Sequence, residues 1–173
     1  NNISSKQAEA DADSLITSTA LTLAKSEQRP IVVIGNDTDL LVILVSQVTQ
    51  DMHLYMCGEN PPAIYDIQAI QQAVGHVKAH LMTLHAITGS DTTSAIFGQG
   101  KKKAFLLAQK ESLDVLNVFE NSGSSKDDIA CAGEQFLLKL YGARTFTTLD
   151  TYRYTRYNQS VSRSSLSSCL KLE

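Results

Sequence analysis

Apolar positions along the first half of the chain change period, and the changes mark the elements. Between residues 6 and 26, Leu15, Ile16, Ala20, Leu23 and Ala24 recur every three to four positions. That spacing gathers side chains on one face of an α-helix. Glu9, Asp11 and Asp13 fall in the first turns of this predicted helix, where acidic groups suit the positive end of its dipole. Pro30 then precedes Ile31-Val32-Val33-Ile34, a β-branched run apolar on both faces, which predicts a buried central strand of a parallel sheet. Gly35-Asn36 ends the strand, Asp37-Thr38-Asp39 sits at its carboxyl tip, and Leu40 to Val45 starts a helix. Met52 to Cys57 reads as a second strand and Gly58 to Pro62 as a turn. Asp66 to Val74 and His76 to Ala86 read as helices.

Further on, Thr88 to Thr93 is a polar loop, Phe97-Gly98-Gln99-Gly100 a tight turn, and Lys101 to Gln109 a helix behind it. A polar linker, Asn121 to Lys126, leads to a last helix at Asp127 to Tyr141. From Arg144 the chain is rich in Ser, Thr, Tyr and Arg and has no clear period, so strand, loose tail and the start of another element stay open. No internal repeat is present. Strand–helix alternation predicts an α/β fold, and in open α/β sheets sites form at the carboxyl ends of the strands, where Asp37 and Asp39 lie.

At 173 residues, 43% of them apolar, the chain suits one globular domain of ordinary size with a sizeable core. No apolar run reaches the roughly 18 residues of a membrane span, and the start lacks the basic-then-apolar pattern of a signal peptide. Three widely spaced cysteines, Cys57, Cys131 and Cys169, form no zinc pattern and no even-numbered disulfide framework, which suits a reducing, intracellular compartment. Charge is uneven. Residues 1–98 hold 4 basic and 10 acidic side chains, while residues 99–173 hold 11 and 8. Such a division fits a metal site beside a phosphate-binding surface, and it also fits ordinary surface variation.

Three acidic groups carry the candidate chemistry: Glu9, Asp11 and Asp13; Asp37 and Asp39; and Asp91. Mg²⁺ and Mn²⁺ take oxygen ligands, and a pair of such ions clamps a phosphodiester between attacking water and leaving oxygen. Carboxylates brought together without a cation repel one another and take up protons, so their convergence implies a metal. Each group also has a plainer reading: a solvated helix start, an Asx turn with helix caps, or a single cap. The metal reading rests on their conjunction and order.

In that order, EADADSLI, IVVIGNDTDLLVIL and LHAITGSDTTSAIFGQGKKKAF resemble successive motifs of the 5′-nuclease superfamily, which includes flap endonucleases and the 5′-nuclease domain of bacterial DNA polymerase I. The resemblance covers roughly residues 7–108. It implies a PIN-like three-layer fold: a central, mainly parallel sheet with helices on both faces, followed by a helix–two-turn–helix-like segment at 85–110. It implies two Mg²⁺ or Mn²⁺ ions held by Asp11, Asp37, Asp39 and Asp91, with Glu9 or Asp13 completing the helix acids according to register. Gly98, Gly100, Lys101, Lys102 and Lys103 resemble the turn that faces DNA phosphates, often through a bound monovalent cation. The plain reading of the three lysines is a solvated helix face. The family draws further acids from segments N-terminal to the helix acids, and only eight residues precede Glu9 here. Catalysis is therefore expected where the parent protein supplies those acids ahead of Asn1. Where the family commonly has Tyr after its GSD, this chain has Thr92.

The expected organisation is a PIN-like nuclease portion over 1–120 and a helical extension with a Ser/Thr/Tyr-rich tail over 121–173. The expected function is metal-dependent hydrolysis of DNA or RNA at single-strand/duplex junctions, in an intracellular setting that includes the nucleus. A catalytically inactive module that binds nucleic acid or protein, and a structural protein derived from such a domain, are the alternatives. His53, His76, His80 and His85 form no ligand pattern with a nearby Glu and read as core or surface histidines. Tyr152, Tyr154 and Tyr157, interleaved with Arg153 and Arg156, suit either base stacking or plain strand alternation.

Overall fold

A computed structural model describes residues 3–27, 29–59, 61–143, 145 and 148–163. The chain divides into two compact units, Asn1–Ile96 and Phe97–Glu173.

The first unit is α/β. Its elements are α1 (Ala12–Glu27), β1 (Ile31–Ile34), α2 (Thr38–Gln47), β2 (Leu54–Glu59), β3 (Pro62–Asp66), α3 (Ile67–Val74), a 3-10 segment (Gly75–His80) and α4 (Leu81–Ile87). β1 pairs parallel to β2, with Val33 opposite Met56, and β3 folds back antiparallel to β2, with Ile64 opposite Cys57. The sheet is thus small and mixed, where a mainly parallel one was expected. β3 escaped the sequence reading because Pro61-Pro62 looks like the end of a turn, yet Pro is tolerated as the first residue of an edge strand.

One face of the sheet is covered. Val33, Leu54 and Met56 pack with Ala20 and Ala24 of α1, Leu40, Leu44 and Val45 of α2, and Ile67 of α3 in one core. On the opposite face Val32, Ile34 and Ile64 remain 54%, 69% and 76% exposed. Helices on both faces were expected, and β1 was expected to be buried on both sides; among the described residues only one face carries a helical layer. The expected start of the first helix also moves. Asp11 accepts from Ser14 N at 2.9 Å and from Ser14 Oγ at 2.8 Å, so it caps α1, and Glu9 lies ahead of the helix. Gly75, at φ +60°, closes α3 and separates it from the 3-10 segment, which occupies the first part of the helix expected at His76–Ala86.

The second unit is helical: α5 (Lys101–Lys110), a 3-10 turn (Asp114–Leu116), α6 (Asn117–Glu120), α7 (Lys126–Leu140) and α8 (Leu149–Arg163). Ala104, Ala108, Leu116, Ala132, Phe136 and Leu140 are buried in it. The unit boundary falls at 96/97 rather than at 120, and it divides segment 85–110 between the units. α8 replaces the aperiodic tail read from the sequence: Tyr152 packs against Tyr141 with ring centroids 5.9 Å apart, and Glu134 accepts from Leu149 N at the helix start. Cys169 lies outside the described residues, and Cys57 and Cys131 are free thiols.

Candidate metal centre at the strand tips

The tip of β1 is built as a rigid corner. Gly35 N donates to Cys57 O at 3.0 Å, continuing the parallel ladder by one residue. The Asn36 side-chain oxygen then accepts from Glu59 N at 2.8 Å and ties the tip to the end of β2. Asp37 follows as the N-cap of α2, with Oδ1 accepting from Asp39 N at 2.9 Å. Thus the helix-cap reading of Asp37 describes what its Oδ1 does. Asp39 sits one residue inside α2, half-buried, just ahead of the fully packed Leu40. A groove at this corner is lined by Gly35, Asn36, Asp37, Thr38, Gly58 and Tyr65.

The acids of the three sequence groups fare differently. Asp11 is exposed, and its hydrogen bonds from Ser14 hold its carboxyl below the usual range. Asp13 is pushed up, first by burial and then by the negative charges of Asp37, Asp11, Asp39 and Asp91. Acids from the start of α1, the β1 tip and the loop after α4 therefore act on one carboxyl. Glu9 is exposed and does not figure among the charges acting on Asp13. Among the described residues, no three His, Cys, Asp or Glu side chains are gathered tightly enough to cage an ion.

Asp91 is presented by a pinned turn. Ser90 and Thr93 form a bridge, Ser90 N donates to Thr93 Oγ1 at 3.0 Å, and Thr93 Oγ1 donates to Ala86 O at 2.6 Å. Gly89 takes φ +108°, and a Cβ there would lie 2.7 Å from Ala95 Cα, so only glycine fits.

One participant was missed in the sequence. His85 on α4 is buried, with Nε2 only 2.9 Å from Asp39 Oδ1. The contact is not aligned as a hydrogen bond, and neither ring nitrogen has a hydrogen-bond partner among the described residues. The available signal was a polar ring between Leu84 and Ile87, six positions ahead of Asp91; a ligand pattern built on local spacing could not find it. A cluster of carboxylates in mutual repulsion beside an unpaired imidazole is a donor set suited to a divalent cation.

In the second unit, Gly98 has φ +68° and Gly100 precedes α5 as an N-cap without a side-chain hydrogen bond. Lys101, Lys102 and Lys103 are exposed in the first turn of α5, where the helix dipole already favours anions.

Comparison of the chain with protein-family models, curated proteins and solved structures gives no match. No helix among the described residues is long and apolar enough to cross a membrane.

Proposed function

We propose that the Asn1–Ile96 unit is the metal-holding part of a PIN-like, 5′-nuclease-like domain that hydrolyses phosphodiesters in DNA or RNA. The observation that carries this reading is the repulsion at Asp13, where four carboxylates from three separated segments bear on one group. Such an arrangement costs free energy in the absence of a cation. The parallel β1–β2 pair with its acids at the carboxyl ends supports the PIN-like part of the reading.

Asp13, Asp39 and Asp91 would hold the ions, with Asp37 fixing the strand tip through its cap and offering its second oxygen. Bound Mg²⁺ or Mn²⁺ would supply Lewis acidity and lower the pKa of a coordinated water. The rigid corner at Asn36 and the pinned turn at Ser90–Thr93 set where the carboxylates stand. Lys101, Lys102 and Lys103 would attract substrate phosphates.

Calorimetric titration with Mn²⁺, beside an Asp37→Ala/Asp39→Ala double variant, tests the reading. Binding that the variant loses supports it and justifies a cleavage screen on flap and junction substrates. No binding by the unaltered chain overturns it for this unit.

The capping duties of Asp11 and Asp37 favour a second reading, a nucleic-acid-binding module without catalysis. It expects binding to structured DNA or RNA that survives EDTA. Lys101→Glu with Lys102→Glu should then flatten the salt dependence by about 0.9 in log–log slope for each phosphate no longer neutralised.

A further inference from the structure

His85 stands at the proposed centre with no role in the family resemblance and no pattern in the sequence. Its imidazole is nine-tenths buried, with a side-chain exposure of 8%. Nε2 points at Asp39 Oδ1 across 2.9 Å without the alignment of a hydrogen bond, and Nδ1 is equally without a hydrogen-bond partner among the described residues. A buried ring with both nitrogens unpaired is uncommon in a folded chain, since buried polar groups are nearly always satisfied. If Nε2 carries its lone pair, that pair faces the carboxylate's own, and something positive is needed near both. Two neighbouring ligands, each about 2.1 Å from an octahedral ion, stand about 3 Å apart. The Nε2–Oδ1 separation has that value. The two side chains come from different helices, α4 and the first turn of α2, so their approach is set by tertiary packing and not by local sequence.

We propose that His85 Nε2 and Asp39 Oδ1 are neighbouring ligands of one divalent cation, and that the nitrogen makes the site select first-row transition ions such as Mn²⁺ or Zn²⁺ over Mg²⁺. The inference rests on the metal-centre reading above and adds a nitrogen donor to it. Carboxylates alone suit Mg²⁺ and Mn²⁺ alike, whereas imidazole is a poor partner for Mg²⁺ and a good one for the later ions. Asp13, Asp37 and Asp91 lie close enough to act electrostatically on the same neighbourhood and would balance the ion's charge, with water filling the remaining positions.

The test uses the whole chain loaded with Mn²⁺. Electron spin-echo spectroscopy reads directly whether a ¹⁴N nucleus is bound to the ion, and competition with Mg²⁺ reads the selectivity. Expected are ¹⁴N modulation in the unaltered protein, its loss in His85→Phe, and a narrowing of the Mn²⁺-over-Mg²⁺ preference by about tenfold or more. Phe keeps the ring volume in the buried site, and circular dichroism reports whether the variant folds. If it does not, the spectrum of the unaltered protein still decides. Mn²⁺ bound without ¹⁴N modulation, yet lost on Asp37→Ala/Asp39→Ala, overturns the nitrogen ligand and leaves the carboxylate site standing. Modulation that persists in folded His85→Phe also overturns it. Failure of the unaltered chain to bind Mn²⁺ at all overturns both.

Discussion

A methyl group on Gly58 would stand 2.9 Å from the side-chain oxygen of Asn36, the same oxygen that accepts from Glu59 N at 2.8 Å. The close approach of the two strands at this point is therefore possible only because residue 58 has no Cβ. It places the Asn36 side chain, and with it the turn into Asp37, against the end of β2.

Gly58→Ala should break this hydrogen bond, because the amide can make room only by leaving Glu59 N. The expected cost is about 1 kcal/mol, the usual net worth of one hydrogen bond. Asn36→Ala should cost a similar amount. In the Asn36→Ala background Gly58→Ala should cost little further, since the clash is then gone. Chemical denaturation of the two single variants and the double variant gives the coupling directly. Additive costs would show that the two residues act separately.

Asp13 carries a sign that separates function from stability. Its carboxyl is raised above the usual 3.8 by burial and then by the charges of Asp37, Asp11, Asp39 and Asp91. The folded state therefore holds its proton more tightly than the unfolded state. Stability should fall as pH rises from about 3.8 through the raised value, and the loss should persist at neutral pH. Asp13→Asn should accordingly raise the melting temperature at pH 7 in EDTA while weakening Mn²⁺ binding. Added Mn²⁺ should stabilise the unaltered chain more than the variant. A variant that is no more stable in EDTA, or that gains as much from Mn²⁺, would remove Asp13 from the centre.

The start of α7 provides an opposite and metal-independent sign. Ser125 Oγ accepts from Asp128 N, and Asp128 Oδ2 accepts from Ser125 N, a reciprocal capping box. The hydrogen bonds from Ser125 lower the Asp128 carboxyl below 3.8. Here the unfolded state binds protons more readily, so the contribution is present above about 3.8 and is lost as pH falls through the lowered value. Ser125→Ala should cost about 1 kcal/mol near neutrality. Asp128→Asn should flatten the acid limb of the stability curve, read by denaturation between pH 2 and 5. An unchanged acid limb would mean that the box does not persist in solution.

Local sequence carried much of the first unit. The β-branched run at Ile31–Ile34, the acids at its carboxyl tip and the periods of α1, α2 and α3 are all short-range signals, and each element appears where its signal lies. The helix-cap reading of Asp37 was legible because a cap is made within three residues. β3 and α8 were not legible. β3 depends on pairing with β2, and its Pro61-Pro62 start imitates a turn. α8 is a polar helix whose start and one aromatic face are held by Glu134 and Tyr141 rather than by a strong apolar period of its own.

The sequence by itself determined the α/β character of the first unit, the helical second unit up to Tyr141, and which acids were available at which ends of which elements. Tertiary structure decided which of them meet. Packing of α1, α2 and α4 sets Asp13 among Asp37, Asp39 and Asp91, leaves Glu9 aside, turns Asp11 into a cap, and brings buried His85 to Asp39. Packing also left one face of the sheet open, which an apolar strand pattern could not foretell. The reason is range: periodicity and capping act over one or two helical turns, whereas charge repulsion and ligand geometry depend on distances that only the folded chain establishes.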